Sequence, residues 1–211
     1  MKLLPAAALA ILAAVPPLAS AQTIVLDFEK SWPFGAEVQG YYGGGAASDG
    51  TSGANAGVSF VNVSGLSNDA SFTYYSGAPS PLGIAYAFTS APGDHAYMNV
   101  TAGAVGALSF FYSSPSVATI PGAIVAYSGL NGSGAQLGSI NLANDDGGDY
   151  SGWRAASFSF FGIARSFDLT ATANIVALDN VTVTAVPEPG SLALLLLGGV
   201  AVVRRLKRRE C

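Results

Sequence analysis

Cysteine occurs once in this 211-residue chain, at Cys211. No disulfide can form within the chain, so stability must come from packing or from a bound ion. Histidine also occurs once, at His95. One imidazole and one thiol do not supply a zinc site of the usual kind. A Ser-His-Asp centre would need a nucleophile presented on a Gly-x-Ser-x-Gly elbow, and the chain has none. His95 therefore reads as a surface loop residue. Basic residues are almost missing from the centre: between Gln22 and Val186 stand only Lys30, Arg154 and Arg165, against eleven acids. Such a region has no basic face to displace counterions from a phosphate backbone, which excludes nucleic acid as a partner. Amphipathic helical stretches of useful length are absent as well.

Glycine, by contrast, is abundant at 26 residues. Together with Pro79-Ser80-Pro81, Pro92-Gly93-Asp94, Asn131-Gly132 and Gly147-Gly148 it cuts the centre into short runs. Those runs have strand character: Thr23 to Phe28, Gly57 to Val63, Ala70 to Tyr75, Gly83 to Phe88, Ala96 to Thr101 and Val105 to Tyr112. Gly122 to Ser128, Gln136 to Leu142, Ala155 to Ile163, Ser166 to Thr170 and Ala173 to Thr184 follow. About ten short strands separated by turn chemistry predict an all-β domain, an antiparallel two-sheet β-sandwich of the jelly-roll kind.

The ends differ from the centre. Lys2, the apolar stretch Leu3 to Leu18 and the small residues Ala19-Ser20-Ala21 form a secretory signal peptide over residues 1–21, with signal peptidase expected to cut between Ala21 and Gln22. At the other end, Val186-Pro187-Glu188-Pro189-Gly190 precedes an apolar run, Leu192 to Val203, and then Arg204, Arg205, Lys207, Arg208 and Arg209. Twelve residues of helix span about 18 Å, short of the roughly 30 Å hydrocarbon core. The basic cluster completes the span by snorkelling and, by the positive-inside rule, holds the tail in the cytoplasm with the domain outside. Three segments result: 1–21, a β-domain over 22–185, and a tail over 186–211 carrying a single transmembrane helix.

That tail resembles the PEP-CTERM sorting domain of exopolysaccharide-producing Gram-negative bacteria, in which a Pro-Glu-Pro triplet, a short apolar helix and an Arg-rich end follow in this order. The resemblance implies that Pro187, Glu188 and Pro189 are the motif recognised by an exosortase, a membrane enzyme that cleaves nearby. It also implies release from an inner-membrane-tethered precursor to the cell surface or extracellular matrix, including that of biofilms. The centre is similar to the carbohydrate-binding-like, galactose-binding-like sandwiches often joined to such tails, through Asp27-Phe28-Glu29 in the first strand and Ala177-Leu178-Asp179-Asn180-Val181 in the last. In many such modules these positions share a structural calcium, which here points to Glu29 and Asp179.

Period two independently places Asp179 on the face of Val181 and Val183, and a buried carboxylate there requires a partner. Calcium would serve, as would a hydrogen-bond network or a bulge that turns Asp179 away. Asn144-Asp145-Asp146-Gly147-Gly148-Asp149 does not fit the EF-hand spacing and reads as an acidic turn. Asp145/Asp149 or Glu29/Glu37 would be the carboxylate pair of a secreted hydrolase. Among aromatics able to stack on sugar rings, Trp153, Tyr41 and Tyr42 are the leading candidates, with Trp32, Tyr74 and Tyr75 behind them. The sequence thus predicts a non-catalytic, exported protein that contacts polysaccharide. A structural matrix protein with no discrete ligand is the alternative.

Overall fold

Apolar side chains alternating with small or polar ones fit a pleated surface, and frequent Gly, Pro and Asn stop each run after a few residues. The computed structural model describes residues 21–115, 119–143 and 148–186. Among them are ten strands: β1 (Gln22–Leu26), β2 (Val58–Val61), β3 (Val63–Leu66), β4 (Ile84–Ala87), β5 (Tyr97–Ser113), β6 (Ile120–Tyr127), β7 (Gln136–Leu142), β8 (Arg154–Ser159), β9 (Ala164–Asp168) and β10 (Ala177–Ala185). The described helix is a single 3-10 turn at Thr170–Thr172. Every strand pairing is antiparallel.

Hydrogen bonding joins all ten strands, in the order β3-β4-β10-β5-β9-β6-β7, with β1 on β10 and β2 and β8 on β5. The long strand β5 makes this possible. Its first residues, Tyr97 to Val100, lie between β2 and β9, and its later ones, from Ala104 onward, lie mainly between β10 and β8. The register with β9 shifts between Asn99 and Ala104. Gly103 stands in that interval at φ +88°, where a Cβ would meet Ile163 at 2.3 Å. Only glycine relieves both the left-handed backbone and the contact, and the sheet curls there.

The curl brings the two halves face to face over one core. Phe60, Met98 and Ile124 from one half meet Ala85, Leu108, Phe110, Leu178 and Val181 from the other, with Phe28 between them. Burying each large side chain contributes about 1.5–3 kcal/mol. The expected all-β antiparallel architecture is therefore present, with its halves joined through one bent strand.

Three expected strands differ. Ala96 to Thr101 and Val105 to Tyr112 are one strand, because the glycines between them bend the chain without ending it. Ala70 to Tyr75 is not a strand. Asn68 accepts from the backbone N–H groups of Tyr74 and Tyr75 through Oδ1, and Asp69 accepts from Ser71 and Phe72. These local bonds occupy the donors that a ladder would use.

Candidate functional site: an aromatic groove and a buried carboxylate

The outer face of β3, β4 and β10 is not bare. The strandless segment 67–83 lies over it and forms a second, smaller apolar cluster of Tyr75, Ile84 and Ala177, flanked by Leu66, Tyr74, Ala78, Tyr150 and Trp153. β4 alternates to serve both sides: Ala85 and Ala87 enter the main core, while Ile84, Tyr86 and Phe88 point outward.

Beside this cluster opens a groove of about 620 Å³. Its aromatic lining is Phe34, Phe72, Tyr74, Tyr86, Phe88 and Tyr150. Phe34 is 74% exposed and Phe72 59% exposed, unusual for rings that could have been buried. They form a continuous surface: Phe34 stacks on Tyr74 at 5.8 Å and 23°, and Phe72 leans on Tyr74 at 4.7 Å. The polar groups at the edge are partly committed. Tyr150 Oη donates to the carbonyl of Ile175 (2.9 Å), and Asn174 Nδ2 donates to the carbonyl of Thr89 (2.9 Å). Asp149 accepts from the backbone N–H and the hydroxyl of Ser151, and Tyr74 Oη lies 3.4 Å from Asp69 Oδ2.

The aromatics favoured by sequence lie elsewhere. Tyr42 is buried, edge-on to Phe28 at 5.8 Å. Its hydroxyl receives the N–H of Phe28 at 2.9 Å and donates to Asp27 Oδ1. Burial first, then the Asp27 charge, raises that phenol far above its ordinary value. Tyr41 is half-buried against Trp32 and Tyr42, and Trp32 itself is buried. Lys30, paired with Asp49, sits 4.1 Å above the Trp32 ring. Trp153 meets Tyr75 edge-on at 6.4 Å and donates Nε1–H to the carbonyl of Ser76, fastening the 67–83 segment. None of Tyr42, Tyr41 and Trp153 lines the groove. Their rings are used by neighbouring rings and chain, which one-dimensional spacing does not reveal. Of the six ring candidates only Tyr74 lies in the groove; Phe34, Phe72 and Phe88 gave no signal beyond being aromatic.

His95 is exposed and stacks on Tyr97 at 5.8 Å. Asn144 to Gly147 lie outside the described residues, so the acidic turn is represented by Asp149.

Asp179 is fully buried, although not on the valine face. The pairing of β10 with β5 shifts between Asp179 and Thr182, and Asn180 adopts φ 49°. This bulge reverses the alternation, so Leu178, Val181 and Val183 enter the main core while Ala177 belongs to the second cluster. Asp179 accordingly meets the 67–83 segment: Oδ2 accepts the N–H of Ser80 at 2.6 Å, and Oδ1 accepts that of Asn180 at 2.7 Å. Burial pushes its pKa up to about 6; hydrogen bonds from Ser80 and Asn180 oppose the shift, and the charge of Glu29 adds to it.

Glu29 follows Phe28, which is held at φ 54° by its packing and by two hydrogen bonds, from its N–H to Tyr42 and from Trp32 to its carbonyl. Glu29 Oε1 accepts from the N–H of Leu82 at 2.7 Å. Both carboxylates thus grip the 67–83 segment, and a left-handed residue adjoins each. Such backbone costs about 1–3 kcal/mol and concentrates at functional positions. Tyr75 Oη is buried in the same neighbourhood with no hydrogen-bond partner among the described residues. Burial, then the charges of Asp179 and Glu29, raises its pKa to about 12, so it stays a neutral phenol. Among the described residues, no group of three or more His, Cys, Asp or Glu side chains is placed to hold a metal.

The sequence-predicted signal segment (through Ser20), Pro187, Glu188, Pro189, the apolar run and Arg204, Arg205, Lys207, Arg208 and Arg209 lie outside the described residues. Ala21 and Gln22 are described, and β1 begins at Gln22. No described helix is long and apolar enough to cross a membrane.

No curated protein matches the chain. Solved structures similar to it include two adhesin domains. One is the K2 cleaved adhesin domain of Lys-gingipain (12% identity, TM-score 0.44, covering 77% of this chain and 99% of that one). The other is the K1 cleaved adhesin domain of Lys-gingipain from Porphyromonas gingivalis W83 (15% identity, TM-score 0.44, covering 78% and 99%). Residues 185–209 match the model of the PEP-CTERM protein-sorting motif. The chain therefore carries a PEP-CTERM sorting motif, which marks it as an exported protein processed by an exosortase.

Proposed function

We propose that the mature protein is a non-catalytic, glycan-contacting component of the cell surface or extracellular matrix. Signal peptidase cuts between Ala21 and Gln22, the tail holds the precursor in the inner membrane by one helix, and an exosortase cuts near Pro187-Glu188-Pro189. The observation that carries the binding reading is the groove of exposed, mutually stacked rings. Flat aromatic faces suit the apolar faces of pyranose rings, and a purely structural matrix protein has no need to keep Phe34 in water. A hydrolase would need two facing carboxylates, whereas Asp149 is the one acid in the described lining.

Two experiments test this. Intact mass of the protein recovered from the host's surface should run from Gln22 to near Pro187; a mass retaining Arg204 to Arg209 would overturn the processing scheme. Affinity electrophoresis through the host's own polysaccharide should retard the protein, and Phe34→Ala with Phe72→Ala should remove the retardation.

The domain is a galactose-binding-like jelly roll with calcium held by Glu29 and Asp179. Supporting this are two carboxylates that hold Ser80 and Leu82 of one segment, a buried phenol beside them without a partner among the described residues, and left-handed backbone next to each. With only two acids, main-chain carbonyl oxygens would complete the coordination, as calcium tolerates. The ion would supply neutralising charge and fasten the 67–83 segment, the wall that carries Phe72 and Tyr74. Titration calorimetry on chelator-treated protein should show calcium uptake and a raised melting temperature; neither appearing would refute the assignment.

A further inference from the structure

We infer that the groove selects a polysaccharide bearing free amino groups, a cationic amino-sugar polymer; this rests on the groove being a glycan site. The first reason is what the groove withholds. At the position that distinguishes these sugars, a hydroxyl or an acetamide desolvated against the rings needs a hydrogen-bond partner, whereas an ammonium can take ring faces and carboxylate charge instead. Here Tyr150 and Asn174 already bond to backbone carbonyls, and Tyr74 Oη is turned toward Asp69. The described lining is mainly rings and apolar side chains, with the hydroxyls of Thr73 and Tyr86 among them.

The second reason is charge. Asp149 lines the groove, Asp69 stands behind Tyr74, and among the described residues no basic side chain lines it. Across Gln22 to Val186 acids outnumber bases eleven to three. Of those bases, Lys30 is paired with Asp49. A uronate or sulfated chain would meet like charge. An ammonium on a pyranose ring would meet Asp149 and the faces of Phe34, Phe72 and Tyr74, with the Asp69 charge close behind Tyr74. Aromatic faces beside an acid complement an apolar ring that carries positive charge.

The test is titration calorimetry of the full chain in detergent with three hexasaccharides: glucosamine, N-acetylglucosamine and a uronate. The pH is set low enough to protonate the amines. The amine oligomer should bind about tenfold more tightly than its acetylated counterpart, and high salt should shrink that advantage. Asp69→Asn with Asp149→Asn should weaken amine binding about fivefold and leave the acetylated oligomer unaffected. Asn at 69 keeps the Oδ1 acceptor used by Ser71 and Phe72, so the turn survives. Phe34→Ala should weaken binding of both the amine and the acetylated oligomer several-fold without altering the melting curve, since Phe34 is mostly in water. Equal, salt-independent binding of the amine and acetylated oligomers would overturn the charge inference while sparing the glycan reading. Tightest binding of the uronate would do the same. No binding of any oligomer would remove both.

Discussion

In cation-free solution, raising the pH from about 4 to about 7 should destabilise this protein through one side chain, Asp179. Its pKa stands at about 6 in the fold against an ordinary 3.8, chiefly because of burial. A raised value means that the fold favours the protonated form. The stabilisation from that proton is complete below 3.8 and is lost as the pH rises through about 6. A shift of roughly two units corresponds to at most about 3 kcal/mol. For a domain of this size that is about 6–12 °C in melting temperature. Glu29 adds to the shift, while Ser80 and Asn180 hold it back. Asp49, Asp69 and Asp94 have lowered values, so their contributions are present above the ordinary carboxylate range and fade only in stronger acid, outside this window. The assay is thermal unfolding followed by circular dichroism across the pH range with a chelator present, on the natural chain and on Asp179→Asn. The natural chain should lose melting temperature through this window, and the Asn variant should be nearly flat. Saturating calcium, binding only the ionised form, should cancel the loss. A melting temperature that holds or rises, or an equal fall in the variant, would refute the reasoning.

Other substitutions probe the frame. Tyr42→Phe removes the acceptor of the Phe28 N–H and should cost about 1–2 kcal/mol in urea unfolding; an unchanged midpoint would deny that this bond holds the left-handed Phe28. Gly65→Ala places a Cβ 2.1 Å from the Trp32 ring and should cost about 1–3 kcal/mol, with a shifted tryptophan emission; unchanged emission and stability would mean the ring can move freely. Gly103→Ala should destabilise by more than 1 kcal/mol, since strain and the Ile163 contact add; a neutral effect would show that β5 does not need its bend there.

Much of the sheet was legible because its chemistry is local. The alternation in β4 and the valines of β10 announce strands facing a core, and the Pro and Gly clusters fall in connections. The failures have local causes too. A glycine within β5 reads as a turn when the strands on either side continue the ladder, and the caps of Asn68 and Asp69 turn an aromatic, strand-like run into a loop. Asp179 was placed in the interior by period two, yet the bulge at Asn180 put it on the opposite face, and no spacing rule anticipates a bulge. The groove was the least legible feature. Phe34, Phe72, Tyr86 and Phe88 come from separate stretches, and whether a ring ends in water or in the core depends on what folds over it.

The pairing of the first strand with the last has a mechanical consequence. Gln22 stands opposite Ala185, so both ends of the domain leave from one end of β10, whereas the groove begins at its other end, around Val176 and Ala177. Eight residues of strand separate the two, about 26 Å. A protein held at Ala185 while its groove grips a polymer would be pulled along β10. Flanked there by β1 and β5, that strand would meet the pull as shear, with many perpendicular hydrogen bonds strained together rather than peeled one at a time. Under the proposed function, the sheet would resist drag at the point where drag would be applied.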